Sequence, residues 1–142
     1  MVAKFETTDY YEMVALFRAI QVVKFDRDPL APELVGSTFI ANIANRLAKA
    51  LDEMELERGH PERANWQGPI VQDGEKWQII VREAARHPEI WARQSHEWKA
   101  DYAHILMSPF SYTVEMLEEF IRQVDELATE FIRQRDEGAL DQ

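Results

Sequence analysis

The sequence predicts an all-α fold, a single-domain bundle of about five helices in which the second and the C-terminal helix are long. Over several segments apolar residues recur every three or four positions, which is the spacing of one helix face. Capping residues, prolines and glycines stand at the ends of these segments. The chain has 142 residues, a length that suits one domain. We therefore expect one helical domain over 1–142, with an ordered core at about 8–136.

The first predicted helix begins at a capping box and ends at a break. Asp9 suits the N-cap and Glu12 the third helical position, where the two can satisfy free backbone N–H groups. Apolar side chains then cover one broad face of the segment. The helix should end near Phe25, because residues 26–29 are three charged residues followed by a proline.

The second predicted helix is long and is followed by an irregular segment. Pro32 suits its first turn, and Gly59 suits the position just after its end near Arg58. Small side chains form a row along this helix, which predicts close packing of another helix: Ser37, Ala41, Ala44 and Ala48. Residues 60–72 contain two prolines and one tryptophan. Long connections are often functional, so Trp66 is a candidate binding residue; the alternative is that it covers the core.

Two further helices are predicted in the middle of the chain. Asp73 should cap a third helix that runs to about Arg86. Pro88 suits the first turn of a fourth helix, which should end near Met107 because a proline two residues later disfavours helical geometry before it. The apolar faces of these helices carry tryptophans that we expect in the core, with an aromatic interface patch as the alternative: Trp77, Trp91 and Trp98.

The C-terminal helix, predicted from Tyr112 to Arg135, has the strongest apolar pattern in the chain. Its seam alternates steps of three and four residues: Val114, Leu117, Ile121, Val124, Ala128 and Phe131, widened by Phe120 and Leu127. A seam of this width indicates a helix packed in a bundle rather than a two-stranded coiled coil. Ser111 or Thr113 should cap its start.

Composition and charge limit the function classes. Sixteen basic and 26 acidic side chains give a formal charge of −10, which opposes binding to a phosphate backbone, so we expect no nucleic-acid partner. The absence of cysteine excludes disulfides and thiolate metal sites. The sequence has no apolar run long enough to span a membrane and no apolar signal-peptide core at the N-terminus. We therefore expect a cytoplasmic protein without membrane association.

Negative charge is concentrated in the last third of the chain. From residue 110 onward there are nine acidic and three basic side chains. This surface either keeps the helix soluble or docks a basic partner. In the second case the candidate binding residues are Glu118, Glu119, Asp125 and Glu126.

A polar face on the predicted fourth helix is the best candidate for chemistry. Glu97, Asp101 and His104 lie on one arc opposite the tryptophans and offer oxygen and nitrogen ligands for a metal. The spacing matches neither His-Glu-x-x-His nor Glu-x-x-His, and charged pairs on an exposed helix face explain the same residues. We expect no cofactor; if a metal is bound, this trio is the candidate site.

These observations favour a non-enzymatic helical protein that works by protein–protein association or regulation. Self-association as a homodimer is the simplest form, since two-fold dimers are the commonest oligomers, and binding of a basic protein partner is the other form. The alternative is a small-molecule or metal-dependent enzyme that uses the cluster of Glu97, Asp101 and His104.

Overall fold

The computed structural model describes residues 3–140, and six α-helices account for most of this part of the chain. They are α1 (Tyr10–Lys24), α2 (Thr38–Glu57), α3 (Glu75–Ala84), α4 (Pro88–Ala92), α5 (His96–Met107) and α6 (Val114–Leu140). Short 3-10 turns at Pro32–Leu34 and Pro61–Arg63 precede and follow α2. The predicted all-α, single-domain bundle with long second and last helices is confirmed. None of these helices combines the length and the apolar character needed to cross a bilayer.

The first two helices form an antiparallel hairpin with its own small core. Arg58, just after α2, lies over the ring of Tyr10, at the start of α1, with 4.0 Å between the guanidinium carbon and the ring centroid. Side chains from both helices form the hairpin core: Met13, Phe17, Ile20, Ala44, Leu47, Ala48 and Leu51. Three members of the predicted row of small residues, Ala41, Ala44 and Ala48, are at most 2% exposed, whereas the fourth, Ser37, lies just before the helix as its N-cap.

The larger core lies among α3, α4, α5 and α6. Its largest buried side chains come from all four helices: Trp77, Ile80, Trp91, Leu106, Met107, Phe120 and Val124. The indole N–H of Trp77 donates to Gln123 Oε1 at 2.9 Å. The indole N–H of Trp91 donates to Asp125 Oδ1 at 2.7 Å. The seam of α6 is therefore the centre of this core, although its first residue, Val114, is 71% exposed.

The second helix begins later than predicted. Pro32 starts a 3-10 turn rather than α2. Ser37 is the N-cap, and its Oγ accepts a backbone N–H of the first turn of α2 at 3.3 Å. A Cβ at Gly36 would lie 2.7 Å from the hydroxyl of Tyr102, so the backbone passes close to α5 just before the cap. The predicted end is confirmed, since Gly59 has a φ of 78° just after α2.

The prediction of one long fourth helix is wrong, because residues 93–95 divide it into α4 and α5. Ser95 caps α5 by accepting the backbone N–H of Trp98 at 3.1 Å, a local hydrogen bond that replaces continued helix. The tryptophans of α4 and α5 consequently differ in how far they are exposed to solvent. Trp91 is 2% exposed, whereas Trp98 is 39% exposed and stacks on Tyr102 with ring centroids 5.1 Å apart, so Trp98 is not the core residue that was predicted.

Most of the remaining helix ends lie close to their predicted positions, but α6 runs past its predicted end at Arg135 as far as Leu140. Asp9 caps α1, since its Oδ1 accepts the Glu12 N–H at 2.9 Å, but the Glu12 carboxylate accepts from the Thr7 hydroxyl and does not complete the box. Asp73 does not cap α3: it has a φ of 61°, and the next residue is the N-cap. Thr113, one of the two predicted caps, accepts a backbone N–H of α6 at 3.1 Å.

A buried lysine joins the end of α1 to the end of α5. The side chain of Lys24 is 0% exposed, and its Nζ donates to the carbonyl oxygen of Ile105 at 2.7 Å. In a continuous helix that carbonyl would accept from residue 109, but Pro109 has no N–H. Lys24 therefore supplies the missing donor. Burial lowers the pKa of its amine to about 8.

Candidate functional site

A groove with an aromatic floor is the most distinctive feature of the surface. It has a volume of about 600 Å³ and lies between α1, residues 63–66, the start of α3 and Phe110. Phe17, Trp66 and Phe110 form its floor. Phe17 is buried, and Trp66 packs edge-on against it with ring centroids 5.1 Å apart. A second cavity, of about 90 Å³, is too small for a metabolite-sized ligand.

Three basic side chains line the groove, and no acidic side chain among residues 3–140 does. Arg18 comes from α1, Arg63 from the 3-10 turn that follows α2, and Lys76 from α3. Gln21 and Asn65 add side-chain amides. In a chain with 26 acidic and 16 basic side chains, this lining is a local reversal of charge. We call the feature formed by the three aromatic, three basic and two amide side chains the cationic groove.

The basic side chains of the cationic groove differ from many other bases in the protein, which are paired with acids. Such pairs include Arg27 with Glu75, Arg86 with Glu83, and Lys99 with Asp125. In the part of the chain that the structure describes, Arg18, Arg63 and Lys76 have no carboxylate at ion-pairing distance. Their charges are therefore available to an anionic ligand.

Lys76 is held at the edge of the cationic groove by one hydrogen bond and two aromatic rings. Its Nζ donates to Gln21 Oε1 at 2.7 Å. The same atom lies 4.7 Å from the ring centroid of Phe110 and 5.5 Å from that of Phe25, and ring faces attract an ammonium group. Partial burial lowers the pKa of Lys76. An anion bound next to Nζ would favour the charged amine and raise this pKa again.

Trp66 is the groove residue that the sequence already marked as a binding candidate. Its backbone N–H donates to Asp52 Oδ1 at 2.8 Å, which fastens the irregular segment to α2. Its indole N–H is buried and has no acceptor among residues 3–140. A buried donor without an acceptor costs about 1–3 kcal/mol. The N–H is not exposed to the groove, so a ligand could accept from it only if the indole turned.

A second buried polar group lacks hydrogen bonds at the end of the hairpin, outside the groove lining. Glu55 is 1% exposed, and neither of its carboxylate oxygens has a well-formed hydrogen bond within the described residues. The Tyr10 hydroxyl lies near enough for the carboxylate to raise the pKa of Tyr10, with burial adding to the effect. This pair belongs to the packing of α1 on α2.

The acidic residues predicted to dock a basic partner lie on α6, and three of them pair with neighbouring bases. Glu118 Oε1 lies 2.9 Å from His96 Nε2. Glu119 and Glu126 both pair with Arg122. Hydrogen bonds from Arg122 lower the pKa of Glu119 to about 2. These acids thus have basic partners within the same chain, and docking of a basic protein on this surface stays a prediction.

The fourth predicted docking acid, Asp125, supports the larger core. Its Oδ1 accepts both the indole N–H of Trp91 at 2.7 Å and the Nζ of Lys99 at 2.9 Å. The side chain of Lys99 is only 13% exposed, and its Nζ lies 5.2 Å from the ring centroid of Trp91. Asp125 therefore stabilises the contact of α4 and α5 with α6.

The predicted metal residues Glu97, Asp101 and His104 all lie on α5 and are exposed. His104 Nδ1 is 2.7 Å from the hydroxyl of Tyr112, so the imidazole contacts the segment before α6. Burial raises the pKa of Tyr112, and the negative charge of Asp101 adds to this effect. Within residues 3–140 no three His, Asp or Glu side chains are arranged to hold a metal ion.

Sequence reasoning identified Trp66 but missed the bases around it. Arg18 and Lys76 occupy polar helix positions that look like ordinary solvated sites, and only the packing of α1 and α3 brings them to one groove. Arg63 offered a weak signal, because it stands three residues before Trp66 in the irregular segment. Comparison of the chain with protein-family models, curated proteins and solved structures gave no match.

Proposed function

We propose that this protein acts by binding, and that its cationic groove takes an anionic ligand that also carries an apolar group. The observation that supports this most is the combination of an aromatic floor with three bases that have no acidic partner in the described part of the chain, in one depression of an acidic protein. The floor favours burial of an apolar group, and the bases favour negative charge.

A binding function agrees with the association function expected from the sequence but uses a different surface. The acids of α6 already contact Arg122, His96 and Lys99 within the chain. The bases of the cationic groove have no such partners among the described residues. These contacts support an anionic ligand more than a basic one. Homodimerisation is a separate prediction that either ligand would permit.

Two fluorescent dyes of similar size test the proposal. Anilinonaphthalene sulfonate carries a negative charge beside its aromatic rings, and phenylnaphthylamine has similar rings without the charge. We expect the sulfonate to bind and the neutral dye to bind about 5- to 30-fold more weakly, because two or more partly exposed charge contacts together contribute roughly 1–2 kcal/mol. Added salt should weaken binding of the sulfonate only.

Matched variants locate the site. The double variant Arg18→Glu/Arg63→Glu reverses two groove charges and should reduce sulfonate binding about tenfold or more. The control Arg46→Glu/Lys49→Glu makes the same change in net charge on an exposed face of α2 and should bind like the wild type. Circular dichroism checks that both variants are folded. Equal binding by the two double variants, or equal affinity for the two dyes, would contradict the proposal.

A further inference from the structure

We infer that the natural occupant of the cationic groove is an acidic protein segment that inserts one aromatic or leucine side chain between flanking carboxylates. The inference rests on the proposed function and names its ligand class. Three properties of the groove support a protein segment more than a small metabolite: the exposure of its walls, the distribution of its bases and its free amide groups.

The walls of the cationic groove are open to solvent. Val22, on its rim, is 64% exposed, and Arg18, Arg63 and Lys76 are exposed as well. Sites for small ligands usually enclose most of the ligand surface. A small molecule in this groove would leave one side in water, whereas a protein segment would cover the floor with one side chain and shield it with the rest of its own chain.

The bases are distributed over three segments of the chain. Arg18 lies on α1, Arg63 in the turn at 61–63 and Lys76 on α3, with the aromatic floor among them. A ligand that matches this arrangement has several negative charges placed around an apolar group. Acidic residues on both sides of an aromatic or leucine anchor have this pattern, and anchors of that kind supply much of the affinity in protein interfaces.

The polar groups of the groove match those of a peptide backbone. Gln21 and Asn65 carry amide N–H donors and carbonyl acceptors. Neither amide nitrogen donates a hydrogen bond within the described residues, although Gln21 Oε1 accepts from Lys76. The indole N–H of Trp66 also lacks an acceptor there but is buried, so a bound segment would contact it only if the indole turned. Each residue of a bound segment presents one N–H and one carbonyl oxygen that could complete these contacts.

Selection from a display library of random dodecapeptides tests the inference with the full chain. Clones are selected on the wild type alone, so that their dependence on Arg18 and Arg63 is measured afterwards and not imposed. We expect the selected clones to carry acidic residues on both sides of an aromatic or leucine residue. A fluorescein-labelled synthetic copy of the best clone should bind the wild type and the Arg46→Glu/Lys49→Glu control equally, and the groove variant at least about tenfold more weakly.

A conservative variant tests the indole separately. Trp66→Phe keeps an aromatic ring over Phe17 and removes the N–H, so the labelled peptide should bind a few-fold more weakly while circular dichroism is unchanged. In the wild type, peptide binding should shift the indole N–H resonance of Trp66 in nitrogen–proton correlation spectra. Vesicles of phosphatidylglycerol form a second arm of the experiment. The protein should not bind these vesicles, and the vesicles should not displace the labelled peptide from the groove.

The following outcomes would overturn the inference. Selected peptides without an acidic excess, or peptides that bind the groove variant as well as the wild type, would exclude an acidic segment. Vesicle binding that depends on the groove bases, without any acidic clone, would assign the groove to an anionic lipid surface. Dye binding in the groove without acidic clones would leave the proposed function standing and remove only this inference, whereas failure of both dye and peptide would remove both.

Discussion

Replacing Lys24 with methionine perturbs the proton-linked contact between α1 and α5. The substitution keeps a long, unbranched side chain and removes the amine. In the folded protein, burial lowers the pKa of this amine from 10.5 to about 8. Near pH 7 the amine is protonated in the folded and in the unfolded state. Above pH 8 the unfolded chain keeps a proton that the folded protein has released, so the free energy of unfolding should rise with pH until about 10.5.

The two pKa values set the size of this effect. Between the two pKa values, each pH unit adds at most about 1.4 kcal/mol to the free energy of unfolding. From pH 7 to about 9.5, pKa values of about 8 and 10.5 give a rise of about 2 kcal/mol. Lys24→Met should lose most of this rise, because only the smaller contribution from the lowered pKa of Lys76 remains. Near pH 7 the variant avoids burial of a charge, worth about 3 kcal/mol, but leaves the Ile105 carbonyl without its donor, at a cost of about 1–3 kcal/mol.

Urea unfolding followed by circular dichroism at several pH values between about 7 and 9.5 measures this free energy. The upper limit avoids ionisation of the tyrosines. Lys49→Met, which removes an exposed amine on α2, is the control and should keep the rise of the wild type. Wild-type stability that stays flat or falls across this range, or a rise of undiminished size in Lys24→Met, would refute the reasoning.

Three further predictions concern packing, the α6 acids and association. Phe120→Ala removes a fully buried ring that packs edge-on against Trp77, with centroids 5.4 Å apart, and should cost about 3–5 kcal/mol in urea unfolding; a loss below about 1 kcal/mol would contradict its core position. Asp125→Ala should cost about 1–3 kcal/mol, whereas exposed Glu126→Ala should change stability by less than about 0.5 kcal/mol, and equal losses would contradict the anchoring role of Asp125. Native mass spectrometry at micromolar concentration should show a dimer if the predicted homodimer forms, and a monomer alone would contradict it.

The parts of the fold that the sequence predicted well are those in which apolar spacing and end signals agree. In α6 the heptad spacing placed Phe120 and Val124 in the core, where both are fully buried. In α2 the row of alanines and the glycine after its end were both read correctly. Each of these features depends on residues a few positions apart in one helix, so the local periodicity contains the information.

The two largest errors share one physical cause, a serine inside a periodic segment. Ser37 was read as part of a row of small residues, and Ser95 as part of a continuous fourth helix. In the structure each hydroxyl accepts a backbone N–H three residues later and starts a new helix. A serine can follow the helical period and still cap a helix, because its side chain competes with the backbone for the same donors. Whether such a serine continues a helix or starts a new one depends on tertiary contacts, such as the close approach of Gly36 to Tyr102.

The cationic groove could not be predicted because it joins the two cores of the protein. Phe17 belongs to the core of the hairpin, whereas Phe110 packs against the core formed by α3 to α6. Trp66 packs against the hairpin core and is fastened to α2 through Asp52. A ligand in the groove would therefore contact both cores at once. If the two cores unfold together, saturating ligand should raise the free energy of unfolding of the whole chain in proportion to the logarithm of its concentration. If the hairpin unfolds first, the ligand should raise only the first of two transitions, so one titration would also reveal whether the cores are cooperative.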